Sequence, residues 1–118
     1  PTTRADSISV AWPRDWLKAV RGVRRTGGTM VAVSDEAIFE GGLLLGSYAG
    51  VFAEPAGAAC MAGLMKLREE GTVAADERVA LFVTGSGLKD VEGAAMAAGA
   101  PHPLPRGEEG LAALSRLV

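Results

Sequence analysis

One cysteine, Cys60, in 118 residues excludes a disulfide framework and supplies no cluster of soft metal ligands. Such usage suits a reducing compartment, so the expectation is a cytoplasmic protein without a metal. Aromatic residues are scarce at 5%, and the single histidine, His102, stands between two prolines, where it reads as an exposed linker residue. Charge of neither sign dominates. With 12 Lys+Arg against 14 Asp+Glu, the net charge of −2 gives no electrostatic reason to expect nucleic acid or an anionic membrane as partner. No run approaches the roughly 18 uninterrupted apolar residues of a membrane span. The opening residues show no basic segment leading into an apolar one.

What is abundant is glycine: 16 residues, about twice the usual share of roughly 7%. At this level, without low complexity, glycine marks tight turns and close backbone approaches. The length suits one domain with a core of its own. The chain opens on Pro1 with no initiator Met. Met removal explains that simply, whereas the motifs below favour a piece of a longer polypeptide.

Apolar and polar residues alternate over 7–11, which predicts a short strand ended by Pro13. Trp16, Leu17, Val20 and Val23 then recur at helical spacing, with Lys18, Arg21, Arg24 and Arg25 on other faces and Gly27-Gly28 as the stop. The basic cluster lacks interleaved aromatics and reads as a solvated helix face. Residues 29–33 predict a buried strand, followed by Ser34 as N-cap and a helix to about Tyr48 that stops at Gly50. A second helix starts at Pro55 and runs to Glu70, with Gly71 past its end. Residues 79–83 are continuously apolar, the mark of a strand covered on both faces. An Ala-rich helix follows from about Val91 to Ala98, then a Pro-rich linker over 101–106 and a terminal helix over 107–118. Strands alternating with helices predict an α/β fold with mostly parallel, covered strands. Two interior-type strands need neighbours that so short a chain does not supply. Met30, Met61, Met65 and Met96 fall on core-type positions, Cys60 reads as a small buried residue, and Trp12 and Trp16 are expected to anchor the first helix.

Chemistry in parallel α/β sheets gathers at the C-terminal ends of strands. Two segments qualify. In Val83-Thr84-Gly85-Ser86-Gly87-Leu88-Lys89-Asp90, a buried strand ends in a hydroxyl and two glycines; the glycines either admit a ligand to the backbone or form a plain turn. The Walker spacing and ending are absent. In Gly50-Val51-Phe52-Ala53-Glu54-Pro55-Ala56, Glu54 stands at the positive end of a Pro-led helix whose first turn has almost no side chains.

These two segments, with Val33-Ser34-Asp35-Glu36 before them, resemble in order and spacing the C-terminal third of threonine synthase. That family belongs to the pyridoxal-phosphate-dependent, tryptophan synthase β-like group, which also holds threonine dehydratases and serine racemases. The Thr-Gly-x-Gly-Leu-Lys-Asp block is the most specific part. The resemblance implies a three-layer α/β sandwich portion of a fold type II pyridoxal-phosphate enzyme, with 1–100 forming the C-terminal half of its cofactor-binding domain. It implies Thr84, bonding the pyridine nitrogen, Gly85, along the ring edge, and Glu54 as cofactor-binding residues, and Ser7 in the segment that passes the substrate. The implied activity is conversion of O-phospho-L-homoserine and water to L-threonine and phosphate through aldimine chemistry. Partners would be a small amino-acid substrate and the remainder of the parent enzyme or a complementary subunit, in a homo-oligomer.

Departures from the family pattern exist. Val10-Ala11-Trp12-Pro13 stands where threonine synthases usually carry Ile-Gly-Asn-Pro, and Gly57 stands where they carry Ser. Ala5-Asp6-Ser7 and Glu54-Pro55-Ala56-Gly57 both resemble the dehydratases, which makes a threonine/serine dehydratase the alternative. A pyridoxal enzyme also needs a Schiff-base lysine and a phosphate-cradling loop. In this family both lie upstream of the matching region, and Lys18, Lys66 and Lys89 read as surface residues, Lys89 with Asp90 as a local partner. The chain alone therefore carries no catalytic residue and is expected to be inactive. A non-catalytic subunit or binding module that kept the scaffold is the reading from another class.

Overall fold

The computed structural model describes residues 2–99 and 102–116, as five helices joined by irregular segments and two short 3-10 turns. Helix α1 (Trp16–Arg25) carries its apolar residues on one stripe and closes where Gly27 takes φ 66° and the Gly28 amide donates to the Val23 carbonyl at 2.9 Å. At the start of α2 (Asp35–Ala49), the Ser34 hydroxyl accepts from the Ala37 amide at 3.2 Å. That cap satisfies one of the amides a helix start leaves unpaired. Gly50 ends α2 in the left-handed region.

Helix α3 (Pro55–Glu69) begins on its proline, whose missing N–H costs nothing there, and ends near Gly71 with the Thr72 amide on the Leu67 carbonyl. An exposed connection follows over 71–78, folded on itself by the Ala74 amide donating to the Glu77 carboxylate. Helix α4 (Val91–Ala98) is capped by Asp90, whose carboxylate accepts from the Gly93 amide at 2.9 Å. Helix α5 (Glu108–Leu114) follows an exposed linker that includes His102.

The core lies between α2 and α3. Ile38, Leu45, Ala58 and Ala62 are buried there with Ala5 and Ala53. The two helices approach closely because Gly41 faces backbone: a Cβ at that position would stand 3.0 Å from the Ala62 nitrogen and 3.2 Å from the Ala58 oxygen.

The expected strands are corrected. Residues 6–8 form a 3-10 turn, closed by Ile8 and Ser9 amides on the Ala5 and Asp6 carbonyls, so the polar–apolar alternation there reflects a turn. Residues 29–33 and 79–83 belong to no ladder; among the described residues the sole β-bridge is antiparallel, Ala53 with Ser86. The physical reason is pairing: a strand exists only where another backbone accepts its hydrogen bonds, and neither segment meets one. Their side chains nonetheless sort by period two. Val31, Val33, Leu81 and Val83 are half-buried, and Val33, Leu81 and Val83 pack against the core; Met30 and Phe82 face outward, Phe82 with 82% exposure. The three-layer arrangement with parallel strands is thus not formed among the described residues.

Of the core expectations, Met61 does pack against the core, and several others are corrected. Met30 and Met96 are exposed, while Met61 and Met65 are half-buried. Trp12 and Trp16 are exposed rather than packed under α1. Cys60 is half-buried, its thiol directed at the Gly57 carbonyl. No helix among the described residues is long and apolar enough to cross a membrane. Of the expected linker and terminal helix, Pro101, Leu117 and Val118 lie outside the described residues.

Candidate functional site

The loop that enters α3 and the segment after residue 83 brace each other. The Glu54 amide donates to the Gly85 carbonyl at 3.0 Å, and the Gly87 amide donates to the Phe52 carbonyl at 2.9 Å. These bonds flank the Ala53–Ser86 bridge and fix the register of the two segments. Neither Gly85 nor Gly87 has a positive φ, so a turn conformation does not demand them. Space does. A Cβ at Gly85 would fall on the Glu54 carboxylate, and one at Gly87 would stand 2.5 Å from the Phe52 ring. The spacing Gly-x-Gly therefore records two close approaches, Gly85 before the bridged Ser86 and Gly87 at the start of the short 3-10 turn that follows.

Among the described residues Glu54 is the buried charged one, 5% exposed, at the head of α3, where the helix dipole favours a negative charge. Its side chain lies against the bare backbone of Gly85. Lys89 meets it from outside, with Nζ 3.2 Å from Oε2 and 3.3 Å from Oε1. The local partner expected for Lys89 was Asp90; instead Asp90 turns away to cap α4. Lys89 was legible only as a surface cation, because its partner lies 35 residues away in sequence.

A cleft of about 350 Å³ opens beside this pair, lined by Arg4, Asp6, Ser7, Glu54, Ala56 and Lys89 among others. Of the expected site residues, it brings together Ser7 and Glu54. Gly85 contributes backbone behind the Glu54 carboxylate. Thr84 is exposed and adjoins Gly85, but it is not among the residues lining this cleft.

The segment bearing Ser7 is tied down from its other side. The Thr3 hydroxyl donates to Asp35 at the start of α2, and the Arg4 amide donates to the other oxygen of that carboxylate at 2.8 Å. The Arg4 guanidinium reaches Glu36 at 3.3 Å and lies 5.0 Å from the centre of the Phe39 ring. The Thr3 hydroxyl foremost, then the Arg4 amide, hold the Asp35 carboxyl below its ordinary range. The partners of Asp35 lie 31 and 32 residues back, beyond the reach of any local sequence pattern.

Comparison with known proteins bears on what this arrangement is for. Residues 1–85 match the family described as pyridoxal-phosphate dependent enzyme. Over 101 residues the chain is 43% identical to threonine synthase of Methanocaldococcus jannaschii, covering 86% of this chain and 25% of that protein. It is 39% identical over 105 residues to threonine synthase of Mycobacterium bovis, covering 89% of this chain and 29% of the relative. Threonine synthase of Bacillus sp. strain ULM1 is 40% identical over 90 residues, covering 76% and 26%. The chain thus spans between a quarter and three tenths of the length of these curated relatives. Both the segment that carries Ser7 and the helix entry that buries Glu54 against Gly85 lie within the matched region, and this chain belongs to the pyridoxal-phosphate-dependent enzyme family.

Proposed function

We propose that this chain forms one wall of the cofactor and substrate site of a threonine synthase, whose complete form converts O-phospho-L-homoserine and water to L-threonine and phosphate. The observation that carries the reading is the buried Glu54 carboxylate, held against bare Gly85 backbone and opening with Ser7 onto one cleft. A planar cofactor needs backbone that it can approach without meeting side chains. In the first turn of α3 the half-buried Ala56 lines the cleft with a single methyl group, while Gly57 and Ala58 are buried, Gly57 against the Gly85 backbone. The exposed Thr84 hydroxyl beside it is a neutral group able to donate or accept. The neutral Thr84 hydroxyl and the small Ala56 are of the residue types that would fit pyridoxal phosphate on this side.

When bound, that cofactor supplies an electron sink for the substrate's α-carbon. Thr84 would hold its ring nitrogen through a hydroxyl, which does not impose a proton there as a carboxylate would. Gly85 would lie along the ring edge. Glu54 would bind polar atoms beside the substrate, and Ser7 would orient the amino acid. Each lysine of the chain already has a partner: Lys18 with Asp15 at 2.9 Å, Lys66 with the Ala32 carbonyl at 2.9 Å, and Lys89 with Glu54. The lysine that carries the cofactor, and the loop for its phosphate, would come from sequence outside these 118 residues, leaving the chain alone inactive.

Residues 29–33 and 79–83 would then be covered parallel strands of a three-layer sandwich, with α2 and α3 as one outer layer. The rest of the parent polypeptide, or a complementary subunit, would supply their neighbours. A threonine/serine dehydratase is the second reading, favoured by Asp6-Ser7 and by Gly57. The complete protein, supplied with pyridoxal phosphate, separates them. Release of phosphate and threonine from O-phospho-L-homoserine supports the synthase. Ammonia from L-threonine, without phosphate release, selects the dehydratase, and neither product with no visible cofactor band overturns both.

A further inference from the structure

We propose that Lys89 is a positioning residue for this reaction: its ammonium group holds the buried Glu54 carboxylate in one orientation against the Gly85 backbone, at the wall of the cleft that Ser7 shares. The inference rests on the reading above and goes one residue beyond it.

Three observations carry it. First, Glu54 is buried on every side but the cleft, and Lys89 is the cation that reaches it, touching both carboxylate oxygens at 3.2 and 3.3 Å. A buried carboxylate that loses its counter-charge is a costly state, so such a pair constrains its members strongly. Second, the Lys89 side chain is 62% exposed while Glu54 is 6% exposed. The lysine therefore adds little to core packing, and its contribution passes through the carboxylate. Third, the short 3-10 turn Gly87–Lys89 fixes where Lys89 starts: the Lys89 amide donates to the Ser86 carbonyl at 3.0 Å, and Ser86 is the residue bridged to Ala53. The same two segments thus carry both charges, and the bridge between them fixes the separation of the backbones from which the two side chains start. Asp90, the acid adjacent in sequence, is committed to the Gly93 amide and does not compete for the ammonium group.

The test uses the complete protein with Lys89→Met, which keeps much of the aliphatic stem, and Lys89→Arg, which keeps the charge. Each is also made in a Glu54→Gln background. Steady-state kinetics on O-phospho-L-homoserine and melting of the cofactor-free protein are the two readouts. We expect Lys89→Met to lower kcat/KM about tenfold or more, chiefly through kcat, and Lys89→Arg to stay within about threefold of the parent. Melting should fall with Lys89→Met in the parent background and not in the Glu54→Gln background, since the carboxylate is then already gone. Unchanged kcat/KM in Lys89→Met, or equal melting losses in both backgrounds, overturns the positioning role. If the unsubstituted protein shows no cofactor-dependent turnover, the functional reading itself falls; if it turns over normally and Lys89→Met does too, only the inference about Lys89 falls.

Discussion

At the scale of single residues, Thr84 and Asp35 answer different questions. Thr84 is exposed and contributes nothing to the core, so Thr84→Val should leave the melting temperature of the complete protein nearly unchanged, within about 0.5 kcal/mol of stability. Its cofactor affinity and its turnover should nonetheless fall, because the hydroxyl proposed for the ring nitrogen is gone; titration of the visible cofactor band measures this directly. Asp35 bears on stability. Its folded-state proton affinity is lowered by the Thr3 hydroxyl and the Arg4 amide, so its contribution is present in full above the ordinary aspartate value of about 3.9. It is lost as pH falls through the lower folded value. Asp35→Asn should lower stability at neutral pH and flatten the acid limb of a series of thermal melts. From the sequence, Gly85 and Gly87 could equally mark the approach of a ligand or a plain turn. What they approach, a carboxylate and a phenyl ring, was not legible there, since both partners come from the loop before α3.

Among the elements, the helices were legible because their signals are local. Ser34 caps α2, Pro55 opens α3, Asp90 precedes α4, and Gly50 and Gly71 mark the ends, all within a few residues of the turns they control. The strands were not, because a strand is defined by a partner that the local pattern does not name. Apolar runs at 29–33 and 79–83 report burial, and only alternate side chains are in fact covered. The helix pair makes its own prediction. Gly41 faces the backbone of α3 at distances that no side chain relieves by changing rotamer. Gly41→Leu should therefore force α2 and α3 apart and destabilise the complete protein by about 1–3 kcal/mol, read from denaturant unfolding. Because α3 carries Glu54 at its head, the same substitution should also weaken cofactor binding.

For the molecule as a whole, the radius of gyration is 17.7 Å, against about 13.5 Å for a compact domain of this length. The extents of 60 × 36 × 18 Å describe a slab rather than a sphere. A slab exposes two faces, and here Met30, Val79 and Phe82 lie open to solvent. If these segments are sheet strands in the complete protein, Phe82 is covered there, and Phe82→Ala should cost about 3–5 kcal/mol. A cost near zero would mean that the face stays open and would count against the proposed layering. The slab also separates the cleft from the connection that follows α3. That helix is 15 residues long, so it carries the exposed turn at 71–78 roughly 22 Å away from Glu54. Affinity tags, fluorophores or natural insertions grafted into that turn would thus be sterically remote from the cleft, which marks it as the attachment point for surface immobilisation or single-molecule labelling.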